Sequence, residues 1–371
     1  MICKKQLAVV LITLSAVMAA SCVTERDRKE TEPDTEVSEE ETVTDSETSE
    51  VTSSDTETET TETRAEEIID TSAPMWLEAP DTITVESDTD FDIGNYLSYI
   101  DDYDSVVDMD LAGEVDTSVT GDYPVTVSLT DDAGNSTFKD ITVKVIEPVE
   151  PVEVIDDGPE PATNYYDFNE FVVDYAGEGA LYGIDISKYQ GDVDFEKVKA
   201  AGCDFVIMRA MVYYQGELRI DDRFQENLTE AKAAGLKVGV YIYTFANTPE
   251  LVKEQTDALC ELLNGEQLDF PVVFDWEKFS NFQQYNLSMA GLRELYQVFK
   301  DELAVYGYDA MLYSSKYYLE TIWQPENETV WLAHYTEKTS YEGNYVMWQA
   351  NCNGTIDGIE GPVDLDLYYG G

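Results

Sequence analysis

The segment Val272-Val273-Phe274-Asp275-Trp276-Glu277 places two acids two residues apart at the end of an apolar run. In an extended strand, residues i and i+2 share a face and lie about 6.6 Å apart at ~3.3 Å per residue. Both carboxyl groups would then look into one cavity. Like charges that close resist joint ionisation, so one pKa rises. Cleavage of a glycosidic bond uses such a pair. One carboxyl, still protonated near neutral pH, protonates the leaving oxygen, and a second carboxylate stabilises positive charge at the anomeric carbon. Taken alone, the pair is equally compatible with a solvated strand end or a helix N-cap. Two further acids lie at the ends of strand-like runs: Asp185 in Gly183-Ile184-Asp185-Ile186-Ser187, and Asp364 in Gly361-Pro362-Val363-Asp364-Leu365-Asp366. The chain has 25 Tyr but one His, which leaves no His-rich metal site and no Ser/His/Asp triad. Hydrolytic chemistry falls to carboxylates. No cysteine spacing suggests zinc, Cys203 and Cys260 read as small buried thiols, and neither a metal nor a cofactor is expected.

Positioning these acids requires a scaffold, and residues 180–371 supply the pattern for one. Strand-like runs (Leu181–Ile186, Asp204–Ala210, Lys237–Thr244, Phe270–Glu277, Ala310–Ser314, Val330–Tyr335, Tyr345–Ala350, Leu365–Tyr369) alternate with helical ones. Gly235 closes one helix, Thr248-Pro249 opens the next, Asn264-Gly265 ends it, and Ser288 caps another that stops at Gly307. Strands alternating with helices imply a mainly parallel sheet, and about eight of them imply a closed β/α barrel with its chemistry at the C-terminal rim. The ~190 residues are few for that barrel, so helices between the last strands must be shortened or missing.

Upstream, the 371-residue chain is organised differently. Lys4-Lys5, the apolar run Leu7–Leu14 and the small residues before Cys22 read as a signal peptide over 1–22. Residues 23–73 read as a disordered acidic tether; within it, 30–63 hold 14 acids and no Lys or Arg. Extended at ~3.4 Å per residue, the tether spans on the order of 100 Å. Residues 74–147 read as a small all-β module, from alternation in Thr82–Val85, Tyr123–Leu129 and Ile141–Val145 and a turn at Asp132–Asn135. Pro148, Pro151, Pro159 and Pro161, among acids, mark a linker over 148–179. The whole chain has 77 acidic against 22 basic residues, a net charge of −55, which excludes nucleic acid and an electrostatic hold on anionic lipid.

Here the motifs converge on known families. Asp185-x-Ser187-x-x-Gln190-Gly191, Arg209, Gly239-Val240-Tyr241, Asp275-x-Glu277, Trp331-Leu332-Ala333-x-Tyr335, Trp348-Gln349 and Gly358-Ile359-x-Gly361-x-Val363-Asp364-Leu365 fall in the order seen in glycoside hydrolase family 25 lysozymes. The segment around Cys22 resembles a bacterial lipoprotein processing site. The pattern Gly121-Asp122-Tyr123, Asp131–Asn135 and Ile141–Val145 resembles bacterial immunoglobulin-like domains. The chain therefore reads as multidomain, with a small immunoglobulin-like sandwich N-terminal to a modified, TIM-like β/α barrel.

The lysozyme resemblance implies hydrolysis of the β-1,4 bond between N-acetylmuramic acid and N-acetylglucosamine in peptidoglycan. Carried over, Glu277 is the general acid, Asp275 its partner, and Asp185 and Asp364 the other two acids of the pocket. Tyr241, Tyr335, Trp348, Gln190 and Arg209 are candidate substrate contacts; Arg209 reads first as an anchor for a carboxylate. Trp276, out of phase with its neighbours, should point into the barrel wall, and His334 should be a packing residue. The sequence departs from the family pattern at Ile242, at Ala350 and over Ala210–Gly216, changes expected to touch the groove. The resulting expectation is a monomeric enzyme of the cell envelope, held on the outer face of the membrane only through a lipid on Cys22 and acting on peptidoglycan glycan strands. The alternative is an inactive wall-binding surface lipoprotein.

Overall fold

The computed structural model describes residues 70–148, 165–177, 179–214 and 216–370. The expected signal peptide with Cys22, the acidic tether as far as residue 69 and linker residues 149–164 lie outside the described residues.

Six strands precede the barrel: β1 (Met75–Glu78), β2 (Thr82–Glu86), β3 (Ser98–Ile100), β4 (Asp108–Ala112), β5 (Gly121–Thr130) and β6 (Ser136–Ile146). β1 and β3 pair antiparallel, while β2, β6, β5 and β4 form a second sheet in that order. Alternation creates its core: Ile83, Val85, Val125, Val127, Ile141, Val143 and Val145 point inward, and the polar residues between them stay accessible.

The barrel contains β8 (Leu181–Ile186), β9 (Phe205–Tyr214), β11 (Lys237–Tyr243), β12 (Val272–Asp275), β13 (Ala310–Ser315), β14 (Val330–Ala333), β15 (Met347–Thr355) and β16 (Val363–Tyr368). It closes where β8 pairs with β9. Two short strands attach outside the ring: β7 (Tyr166–Asp167) on β15, and β10 (Glu217–Ile220) on β9. Helices α2 (Phe195–Ala200), α3 (Phe224–Ala233), α4 (Pro249–Leu263) and α5 (Met289–Val305) cover the first strands. Their ends follow local chemistry. Thr248 accepts from the Leu251 N–H at 3.2 Å and Ser288 from Gly291 at 3.1 Å, and Asn264 closes α4 in the left-handed region. After β13 only a helical turn, α6 (Lys316–Tyr318), running into a π-turn over Leu319–Trp323, remains. No helix separates β14, β15 and β16.

The shortened end has a topological consequence. Seven barrel strands run parallel, but β16 is antiparallel to both its neighbours, β15 and β8. Its first residues therefore lie at the rim where the other strands end, and Asp364 is the register partner of Asp185.

The barrel interior is packed from below. Phe205, Phe270 and Tyr368 rings meet with centroids 4.8–6.3 Å apart, and Ile207, Val273, Met311, Trp331 and Met347 fill the layers above. Glycine is required beside this core. A Cβ on Gly183 would stand 2.3 Å from the Phe205 ring, and one on Gly239 2.5 Å from Ile207 Cδ1.

Residues 165–177 differ from the linker expected there. Phe168, Phe171 and Tyr175, spaced i, i+3, i+7 on α1 (Phe168–Asp174) and its cap, are buried in the main barrel core. The Pro/acidic composition just upstream masked this amphipathic stripe.

β3 and its flanks reach the barrel. Ser98 Oγ donates to the Phe279 carbonyl at 2.5 Å and accepts from Phe282 N–H at 3.0 Å. Gln283 Nε2 donates to the Leu97 carbonyl at 3.0 Å. The carbonyls of Asp101 and Asp102 accept from Met289 and Ala290 at 2.8 and 3.0 Å, satisfying N–H groups in the first turn of α5.

Candidate active site

Alternation along the barrel strands determines which side chains meet. Asp185, Arg209, Tyr241, Asp275, Tyr313, Trp331, Gln349, Asp364 and Asp366 occupy interior positions, while Ile184, Phe274, Leu312, Leu332, Leu365 and Leu367 pack outward against the helices. Trp276 is fully buried in the outer layer, its indole N–H donating to the Ala246 carbonyl at 3.0 Å. With Trp276 turned outward, the residues on either side of it, Asp275 and Glu277, both turn inward. β12 itself ends at Asp275, so Glu277 stands on the loop above it, half-buried.

Asp185 is held from several directions. Gln349 Nε2 donates to its Oδ2 at 2.6 Å. The hydroxyls of Tyr313 and Tyr335 both donate to Gln349 Oε1, at 2.9 and 2.8 Å, which fixes the amide with its NH2 toward the acid. Beneath lies Asp366, completely buried, with Oδ1 accepting from Trp331 Nε1 at 3.0 Å. Its other oxygen meets no N–H or O–H donor, and its neighbouring acid is Asp185. A buried carboxylate is costly to keep charged and bare, so burial, with Asp185 beside it, favours the protonated form of Asp366.

Electrostatics follow from this enclosure. Burial, with the Glu277 charge adding, pushes Asp185 up to about 6 against the hydrogen bonds from Gln349 and Asp366. Burial and then Glu277 push Asp275 well above the usual carboxylate range. Asp364 is driven up by burial and by Asp185 and Glu277, and Asp366 by burial and by Asp185 and Asp364. Five carboxyl groups thus feel one another at one rim.

Other expected contacts fall in different places. Tyr241 and Tyr335 line the interior close to the acids. Arg209 is committed elsewhere: Nε and Nη2 donate to Asp221 Oδ2 at 2.8 and 2.7 Å, and its guanidinium lies 5.2 Å from the Tyr189 ring centre. Gln190 closes a capping box with Ser187 and reaches the Pro362 carbonyl at 3.4 Å, tying the loop after β8 to the loop before β16. Trp348 does not meet the expectation of a sugar contact. It is one residue out of phase with Gln349, so its ring points outward, edge-on to Tyr175, with its N–H donating to the His334 carbonyl at 2.9 Å. His334 packs nearby, hydrogen-bonded through Nδ1 to Thr339 Oγ1. Ile242 and Ala350 also face outward in the main core, so neither departure touches the groove.

Three participants were not singled out by sequence: Tyr313, Asp221 and, as the partner beneath Asp185, Asp366. Interior phase was the available signal for Tyr313, because Met311 and Tyr313 alternate against Leu312 and Ser314. A cleft of about 440 Å³ opens at Lys278, the residue after Glu277, lined also by Tyr213, Tyr214, Phe245, Asn247 and Tyr285 among others; none of the five acids lines it. Aromatic rings at an open groove offer stacking faces to the C–H surfaces of sugars.

Residues 184–359 match the family described as glycosyl hydrolases family 25, and residues 75–145 match the bacterial surface protein Ig-like domain. Over 198 residues the chain is 31% identical to the autolytic lysozyme of Clostridium acetobutylicum, a match covering 52% of this chain and 56% of that protein. It is 27% identical over 216 residues to lysozyme M1 of Streptomyces globisporus, covering 54% and 72%. Among solved structures, the spore cortex lytic enzyme SleM of Clostridium perfringens aligns with a TM-score of 0.45 at 23% identity, covering 51% of this chain and 67% of that one. The chain thus spans little more than half the length of the autolytic lysozyme it matches.

Proposed function

We propose that this chain, which carries a glycosyl hydrolases family 25 domain behind an Ig-like domain, is a peptidoglycan hydrolase cleaving the β-1,4 bond between N-acetylmuramic acid and N-acetylglucosamine. The observation that carries this reading is the meeting of Asp185, Asp275, Glu277 and Asp364 at one rim, with Asp366 beneath Asp185.

Within that cluster Glu277 serves as general acid. It is the acid on a loop at the mouth, with the longest side chain, while Asp185, Asp275 and Asp366 are buried beneath it. Its proton passes to the glycosidic oxygen as the bond to the anomeric carbon breaks, and water completes the hydrolysis. Asp275 faces the developing positive charge. That charge favours the ionised form of Asp275, whose carboxylate stabilises it, against the burial that raises the Asp275 pKa. Asp185, fixed by Gln349, and its register partner Asp364 complete the acidic wall. Lipid attachment at Cys22 and residence at the outer membrane face belong to the same proposal.

The test is Glu277→Gln, which keeps size and removes the proton. Release of reducing ends from purified peptidoglycan should fall by at least about 10²-fold with the melting temperature unchanged. Digestion at the unaltered rate would remove Glu277 from its role. An unsubstituted protein that binds walls without cleaving them would favour the inactive-binder alternative.

A further inference from the structure

Where the Ig-like domain meets the N-terminus of α5, five aspartates converge. Asp70, Asp101 and Asp102 place one carboxylate oxygen each within 4.8 Å of one another, and Asp70, Asp104 and Asp131 do the same. Asp101 is 1% exposed. Its Oδ1 accepts from the N–H groups of Tyr103 and Asp104 at 2.9 and 2.8 Å, but its Oδ2 is buried with no donor. Asp70 Oδ2 and Asp102 Oδ1 are also buried without a donor. One triad thus holds three bare carboxylate oxygens.

The surroundings do not neutralise them. Among the described residues, no Lys or Arg forms an ion pair with any of the five. Arg293 feels Asp102 from α5, but its guanidinium donates to the Ile322 carbonyl and Gln324. The outer pair is differently placed: Asp104 Oδ2 accepts from Asp132 N–H at 3.1 Å, and Asp131 from Asn135 N–H and Nδ2 at 2.7 and 2.9 Å. Three converging anionic oxygens, with donors absent on one side only, are the arrangement a hard divalent cation satisfies. Ca²⁺ takes about six to eight oxygen ligands in flexible geometry, whereas Mg²⁺ demands a near-ideal octahedron and keeps several of its waters, so an irregular all-aspartate cluster suits Ca²⁺ better.

We propose that Asp70, Asp101 and Asp102 form a Ca²⁺ site, flanked by Asp104 and Asp131, within the Ig-like domain on the segment that adjoins α5. The ion would join the chain entering the domain at Asp70 to the segment whose carbonyls cap α5. No residue of the site belongs to the hydrolytic cluster, so the proposal is independent of the proposed activity.

The experiment uses the full chain, freed of metal with EDTA and dialysed. Addition of 1 mM CaCl₂ should raise its melting temperature by about 5 °C, and MgCl₂ by much less. Isothermal titration should show the corresponding binding step. Asp70→Asn, at the edge of the domain, should remove the shift and that step, as should Asp101→Asn; if Asp101→Asn fails to fold, Asp70→Asn alone decides. No shift in the unsubstituted protein, an equal shift with Mg²⁺, or a shift surviving in Asp70→Asn would each overturn the site. The last result would assign binding to acids elsewhere in the chain.

Discussion

Burial governs where protons reside in the acidic cluster, and that makes stability depend on pH. A carboxyl whose folded pKa exceeds its unfolded value of about 3.9 binds its proton more tightly in the fold. Its contribution is present below the unfolded pKa and is lost as pH rises through the folded one. For Asp185, raised to about 6, the loss runs between about pH 4 and pH 6, and Asp366, also raised by burial, contributes in the same direction. Asp366→Asn keeps an acceptor for Trp331 and supplies a permanent N–H toward Asp185. It should melt a few degrees (about 2–6 °C) above the unsubstituted protein at pH 8, with the gap closing at pH 4. A gap equal at both pH values would show that Asp366 does not carry the proton. The Asp275-x-Glu277 pair was legible because two acids end an apolar strand. Asp364 and Asp366 could not be told apart in role, since both share the cavity phase and only depth separates them. Trp348 was misplaced because the Trp348-Gln349 pair was carried over as a unit, whereas neighbours on a strand face opposite sides and Gln349 takes the inner one.

At the scale of elements, alternation of strands and helices, together with the caps at Thr248, Asn264 and Ser288, made the barrel readable before any coordinates. The reversal of β16 was not, because strand direction leaves no mark in an apolar run; it follows from a connection too short to cross back over the barrel. Nor did composition show that β3 touches the loop after Glu277. Ser98 makes two hydrogen bonds to that loop, at the Phe279 carbonyl and the Phe282 N–H, and Phe279 stacks on Tyr318 with centroids 3.7 Å apart. Ser98→Ala leaves both backbone groups unpaired in a buried place, at about 1–3 kcal/mol. If the loop holds Glu277 in register, kcat should fall about threefold to tenfold with KM changing less. A variant destabilised but unchanged in kcat would make the contact purely architectural.

For the whole molecule, the proposed function sets the surplus of negative charge against the charge of the wall. At −55, the chain is repelled by any wall that bears anionic polymer. Screening shortens that repulsion from about 30 Å at 0.01 M salt to about 8 Å at 0.15 M. Hydrolysis of intact walls should therefore quicken between 10 and 150 mM NaCl, by about threefold or more, while a short soluble glycan fragment should be cleaved at a nearly constant rate. Equal salt dependence for both substrates would place the effect in the barrel itself.

Because β16 runs against its neighbours, Leu181 and Tyr368 are register partners, about 5 Å apart in the usual antiparallel geometry, at the end of the barrel away from the acids. A few residues would suffice to join them, so this is a natural seam for circular permutation: the catalytic ring could be reopened at a helix connection without severing any strand that carries a carboxylate. A partner fused after Tyr368 would likewise hang beneath the barrel, at the end away from Asp185 and Asp364.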